Sequence, residues 1–160
     1  MIEEKFRHVA EYALNSIELI KKSGLQVIEM RDRYVKMLLP KEGNINHVGM
    51  LYAGSLFIIG EFTGGIIHGA SFDYSRFYPI VKEVSIRFLK PAMTDVTLAV
   101  ELGEEQASSI QTDAEKNGKA DFTLDLEIKD ANGVVVAVVK GTWQIRTVPN
   151  ELKELFALKA

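Results

Sequence analysis

Asn46-His47-Val48-Gly49-Met50-Leu51-Tyr52-Ala53-Gly54-Ser55-Leu56-Phe57-Ile58-Ile59-Gly60-Glu61 opens an apolar stretch that continues to Ala70. From Met50 to Ala70 the only ionisable side chains are Tyr52, Glu61 and His68. The stretch predicts a long central helix from about Leu51 to His68, apolar nearly all round. A helix without a polar face must be covered on every side. A charge buried in such a place costs roughly several kcal/mol unless it is paired or used. Glu61 is therefore a candidate site residue.

Working outward, Ile2, Phe6, Val9, Ala13, Ile17 and Ile20 recur at helical spacing, which predicts an N-terminal helix. Gly24 can end it. Leu25 to Arg31 and Tyr34 to Leu39 read as a strand pair turning at Asp32-Arg33, and Pro40 to Asn44 as a loop. Beyond the central helix the period changes to two. Val84, Ile86 and Phe88 alternate with polar neighbours in 82–90; Val96, Leu98, Val100 and Leu102 share a face; Phe122, Leu124, Leu126 and Ile128 do the same in 121–129. Such alternation marks antiparallel strands with one wet face. Asn132-Gly133 is a hairpin turn leading into a valine-rich strand, 134–146. Glu104 to Asn117, closed by Gly118, reads as a helix between strands. Pro149-Asn150 can start a short final helix with Leu152, Leu155 and Phe156 on one side. The class is α+β: a curved antiparallel sheet around one apolar helix. The expected organisation is a single domain over residues 1–160, with an N-terminal helix in 1–23, a core in 25–147 and a C-terminal helix in 150–160.

Composition narrows the function. The 160 residues carry a net charge of −3, unlike the basic stripe of a nucleic-acid binder. There is no cysteine, which removes disulfides, thiolate metal sites and cysteine nucleophiles. Three dispersed histidines, His8, His47 and His68, argue against a metal site. The start Met1-Ile2-Glu3-Glu4-Lys5 does not read as a signal peptide. Glu61, His68 and five glycines interrupt the 50–70 stretch, so a membrane span is not expected. A cytoplasmic location is the default.

The order of elements, with Asn46 and Gly49 entering the central helix and Glu61 seven residues beyond Gly54, resembles the hotdog-fold acyl-CoA thioesterases. The nearest branch is similar to the phenylacetate-pathway type, in which a His-Gly-Gly opens the helix; here Tyr52-Ala53-Gly54 stands in its place. Val84 to Ala92 is similar to that family's strand after the helix, and Asp130 to Ala137 to its last hairpin. The resemblance covers roughly residues 25–146. The inserted helix at 104–117 departs from the simplest members and suggests an uncharacterised thioesterase-like subfamily. The resemblance implies a hotdog fold and hydrolysis of an acyl-CoA or acyl-carrier thioester without cofactor or metal. It also implies a homodimer, with a homotetramer as a further form, in which one helix start faces the acid of the other subunit.

The residues can support that chemistry. Free amides at the helix start, at Ala53 and Gly54, can polarise a carbonyl. Glu61 can act as base or nucleophile, and burial should raise its pKa. Asn46 can orient water or the carbonyl, or simply cap the helix. Tyr52 can offer its hydroxyl or only pack. Arg87, Lys90, Lys116 and Lys119 could meet coenzyme A phosphates, although scattered surface lysines usually serve solvation. Ser55 lacks a His–Asp pairing. His68 reads as a satisfied core residue, and Gly64-Gly65 as a place for close sheet packing. Gly54 and Glu61 lie about 10 Å apart along a helix, too far to grip one carbonyl from the same chain. Two alternatives stay open. One is a non-catalytic acyl or acyl-CoA binding protein. The other is a hydroxyacyl dehydratase of the same fold, using His47 and Glu61.

Overall fold

The computed structural model describes residues 1–154. A six-stranded antiparallel sheet is built from β1 (Gln26–Arg31), β2 (Tyr34–Leu39), β3 (Phe77–Phe88), β4 (Val96–Glu101), β5 (Lys119–Asp130) and β6 (Val135–Thr147), in the spatial order β1-β2-β4-β5-β6-β3. The long helix α3 (Ala53–Ser71) packs against β2, β3, β4, β5 and β6. This is the wrapped-helix arrangement that the sequence patterns predict, and α3 begins two residues later than expected. No helix among the described residues is long and apolar enough to cross a membrane.

The period-two pattern is realised residue by residue. In β5, Ala120, Phe122, Leu124, Leu126 and Ile128 are buried while the intervening residues are exposed. Val96, Leu98, Val100 and Leu102 form the buried face of β4 and its end. The Asp130 carboxylate accepts the amides of Asn132 and Val134 and secures the β5–β6 hairpin, with Gly133 in the left-handed region at φ 78°. The inserted helix α4 (Glu104–Asn117) ends on left-handed Gly118 and packs Ala107, Ile110 and Ala114 inward, mainly against β5.

The helix comes close to the sheet because side chains are missing at the contacts. A Cβ on Gly60 would lie 2.8 Å from a Val139 methyl, and one on Gly64 would overlap the indole of Trp143. Trp143 is wedged between Gly64 and Gly141 of its own strand. Gly65 is different: among the described residues nothing lies within 4 Å of where its Cβ would be. The expected packing role therefore belongs to Gly64 alone.

Two predicted elements change. The N-terminal helix is broken into a 3-10 turn (Glu4–Phe6), α1 (Arg7–Ser16) and α2 (Glu18–Ser23), with Ile17 extended between the helices. The Asn15 amide donates to the Glu11 carbonyl and the Ser16 hydroxyl to that of Ala13; such side chains compete with the helical ladder. Ile2, predicted to be helical, instead bridges Met30. The other change is β3, which starts at Phe77 rather than Lys82 and so includes Pro79, paired with Ile145. Proline is tolerated there because β3 is the sheet's edge. At the C-terminus a 3-10 turn spans Asn150–Leu152; Leu155 and Phe156 of the expected final helix lie outside the described residues.

Candidate active site

The start of α3 is held by three separate ties. The Leu51 amide donates to the Ala92 carbonyl (2.9 Å) and the Tyr52 amide to that of Asn44 (2.8 Å). Asn44 is buried and its own side-chain amide donates to the Ser23 carbonyl at 2.7 Å, pinning the 40–44 loop to the end of α2. Asn46 supplies the third tie. Its Oδ1 accepts the amides of Val48 (3.0 Å) and Met50 (3.1 Å), closing the 46–50 loop. That oxygen is engaged by the loop.

No side chain caps α3. The Ser55 and Leu56 amides donate to the Tyr52 carbonyl, so the amides of Ala53 and Gly54 are the donors left at the helix end. Tyr52 is 57% exposed, and its ring folds back over Gly54 at the spot a Cβ would take. The glycine thus admits an aromatic ring against the helix start.

Glu61 lies two turns further along α3. It is half-buried rather than sealed from water, and it has neither salt bridge nor hydrogen bond among the described residues. Loss of hydration at this apolar location raises its pKa above the ordinary carboxylate value. Two concavities meet at its side chain. One, of about 220 Å³, runs beneath α1 and is lined by Tyr12, Phe62, Gly65, Tyr74 and Trp143 among others. The other, of about 490 Å³, opens toward α2 and the edge of β3, along Leu19, Phe57, Ile58 and Val84. Ile17 and Val81 border both. The broken helix and the bulge between Val81 and Glu83 of β3 therefore frame the acid. A larger concavity of about 1290 Å³ lies on the other side of the sheet, among outward residues such as Lys36, Asp125 and Arg87, and does not include Glu61.

The structure does not bring every predicted residue together. Glu61 is eight residues past the first residue of α3, about 12 Å along the helix, so the helix-start amides and the acid are separate within one chain. His47 is exposed on the loop before the helix. The four candidate phosphate-binding cations divide. Arg87 pairs with Val138 and Lys119 with Arg146 on β6, an offset of eight residues or about 26 Å. Lys90 sits just before Ala92, which ties the helix start, whereas Lys116 ends α4 at the opposite end of the fold. Arg87 alternates with inward-packed Ile86 and so points to the face away from α3. Within one chain the four therefore do not form a single cluster.

His68 corrects another expectation. It is fully buried, but neither ring nitrogen has a hydrogen-bond partner. Its ring packs edge-on against Tyr74 at 4.6 Å, and burial pushes its pKa down to about 3. The Tyr74 hydroxyl donates to the Gly65 carbonyl at 3.2 Å, and burial pushes its pKa up to about 12. Both groups are thus neutral at physiological pH. Among the described residues no group of three or more His, Asp or Glu side chains is placed to hold a metal ion.

Reading the sequence missed Tyr12, Tyr74 and Trp143 as neighbours of the acid. Trp143 was legible only as a residue near the end of a strand. The facing Gly64 is the one signal that an indole could lie flat against the helix.

The family described as a domain of unknown function, DUF4442, matches residues 20–145. No curated protein matches the chain. Among solved structures, a protein of unknown function from Pseudomonas aeruginosa, described as a probable thioesterase, is 36% identical with a TM-score of 0.84. The match covers 92% of this chain and 99% of that one. A thioesterase from Haemophilus influenzae superposes with a TM-score of 0.66 at 12% identity, covering 87% of this chain and 88% of its own. A hypothetical thioesterase from Streptococcus pneumoniae, solved with coenzyme A, superposes at 0.57 and 18% identity, covering 80% and 91%. The last two show likeness of fold. The expected hotdog fold is thereby found. The family match does not assign the chain to the phenylacetate-pathway branch.

Proposed function

The chain belongs to the DUF4442 family, and on that premise we propose that it hydrolyses an acyl-CoA thioester to the free acid and coenzyme A. The observation that carries this reading is Glu61: an unpaired carboxylate with a raised pKa at the junction of two apolar concavities. A raised pKa makes a carboxylate a better base near neutral pH. Glu61 takes a proton from water, and the water oxygen attacks the thioester carbonyl carbon. The oxyanion receives hydrogen bonds from the Ala53 and Gly54 amides at a helix start. The carbon–sulfur bond then breaks, and the thiolate leaves with the proton that Glu61 returns. The P. aeruginosa relative's description as a probable thioesterase supports the reaction class, and the coenzyme A in the S. pneumoniae structure supports the carrier.

The roughly 12 Å between helix start and acid requires the two halves to come from different subunits. A homodimer is therefore the minimal active unit. Two features support it. The outer edge of the twelve-residue strand β3 has no partner among the described residues, and such edges seek pairing. Tyr52, Phe57, Val81 and Phe88 are large apolar side chains left exposed. Lys90, beside the helix start, is the cation best placed for a coenzyme A phosphate.

A thiol-release assay with short, long and aryl acyl-CoAs tests the reading, with Glu61→Gln as the control. Loss of about 100-fold or more in turnover, the usual contribution of a general base, is expected with the fold retained. Unchanged turnover excludes the acid from the mechanism. One observation favours a second reading, acyl-CoA binding without turnover: the Tyr52 ring occupies the surface of Gly54 at the helix start. Saturable binding of intact acyl-CoA with no thiol released establishes that alternative.

A further inference from the structure

The smaller concavity beside Glu61 has a shape and lining that the chemistry above does not use. Its walls come from α1, α3, β3 and β6, and four of its lining side chains are aromatic: Tyr12, Phe62, Tyr74 and Trp143. Its volume is about 220 Å³. A cavity of about 150 Å³ lined by apolar side chains accommodates benzene, so this space suits one ring with a short linker. Aromatic walls favour a ring further, because edge-to-face and offset contacts add to area burial. One wall is braced. Tyr74 is anchored to the Gly65 carbonyl, and its ring also packs edge-on against His68, so a longer chain meets a braced wall. Gly65 lies one turn beyond Glu61 on α3, its Cβ position empty to at least 4 Å. Its missing side chain leaves the cleft open at the point where an acyl group passing the acid would lie.

We propose that this cleft under α1 receives the acyl group, that it selects a compact, ring-sized acyl group over a long chain, and that Gly65 is the residue that sets its capacity. The proposal rests on the thioesterase reading for the identity of the ligand as an acyl thioester. It does not rest on turnover.

Trp143 makes occupancy directly observable, since it is the only tryptophan in the chain and lines the cleft. Non-hydrolysable thioether analogues of coenzyme A bearing ethyl, 2-phenylethyl and hexadecyl groups are titrated against the full-length protein. Tryptophan fluorescence and calorimetry are recorded together. The expected result is that the phenylethyl analogue binds at least tenfold more tightly than the hexadecyl one and shifts the Trp143 emission. Gly65→Leu should weaken the phenylethyl analogue at least tenfold and leave the ethyl analogue within about twofold. Gly65→Ala, which adds one methyl group, should give an intermediate loss and keeps the test valid if Gly65→Leu does not fold. Equal or tighter binding of the hexadecyl analogue, phenylethyl binding untouched by either substitution, or no binding of any analogue overturns the proposal. Thiol release on the matching acyl-CoAs separates the two claims. Ring-selective binding lost in Gly65→Leu with no thiol released sinks hydrolysis and keeps the cleft. Hydrolysis indifferent to acyl shape and to Gly65 does the reverse.

Discussion

Gly64 and Gly65 are chemically identical neighbours on one helix, and the structure predicts opposite effects for the same substitution at each. Replacing a helical glycine by alanine gains about 1 kcal/mol of helix propensity. At Gly65 nothing within 4 Å opposes the new methyl, so Gly65→Ala should stabilise by about that amount. At Gly64 the methyl would overlap the Cδ1 and Nε1 atoms of Trp143. The indole cannot yield easily, because a Cβ on Gly141 would overlap its far edge and only 1% of the residue is exposed. Overpacking of a filled core costs about 1–3 kcal/mol and occasionally more; with two strong contacts to relieve, the upper part of that range applies. Net of the propensity gain, Gly64→Ala should destabilise by about 1–2 kcal/mol. The pair should then differ by about 2–3 kcal/mol. Urea unfolding at pH 7 measures this, and with slopes of about 1–3 kcal/mol per molar the two midpoints should separate by about 1 M or more. The functional consequence is also asymmetric. Displacing Trp143 pushes the indole into the cleft beside Glu61, so Gly64→Ala should raise KM. If both variants shift the midpoint in the same direction, the placement of the indole against Gly64 is wrong.

Further outcomes follow from the titrating groups and the proposed assembly. Glu61 has a raised folded-state pKa, so its contribution to stability is complete below its ordinary value and is lost as pH rises through the raised value. Glu61→Gln should therefore be more stable than the native chain at pH 7, with the gap closing toward about pH 4; urea midpoints that show no gain at pH 7 refute this. His68 behaves in the opposite sense: it is pushed down to about 3, so stability is complete above its ordinary value of about 6.5 and falls as pH drops toward 3. His68→Leu, which also removes two unpartnered buried nitrogens, should flatten that acid limb, and an unchanged profile between pH 6.5 and 4 counts against the burial of His68. Phe57→Glu puts a charge on an exposed apolar side chain beside the Glu61 groove; sedimentation should show a monomer with native circular dichroism and no thiol release. A native chain that sediments as an active monomer refutes the shared site.

The local rules were sufficient for most of the architecture. Alternation in 96–102 and 121–129, the Asn132-Gly133 turn and the Glu104–Asn117 helix with its Gly118 cap all formed where those rules place them, because each depends on neighbours in sequence. The expected rules failed at the N-terminus and in β3. Apolar spacing continued through Ile17 while Asn15 and Ser16 turned their side chains on the backbone. The strand expected from Lys82 runs back to Phe77 through Pro79, which an edge position tolerates.

What the sequence determined by itself is the acid and its apolar surroundings: no cation comes within its helix, and a charge in such a run stands out without any coordinates. Only the tertiary structure decided what faces it. The break at Ile17, the bulge beyond Val81 and the indole of Trp143 reach Glu61 from segments far apart in the chain. Their meeting is a matter of sheet order and of how closely Gly64 lets the helix approach, and these are properties of packing that no local pattern encodes. For the same reason the cations divided: Arg87 and Lys119 are basic residues in sequence, but antiparallel register sends them to opposite ends of β6. Asn46 shows the same limit at short range, since the turn of its own loop decides that its oxygen accepts the Val48 and Met50 amides.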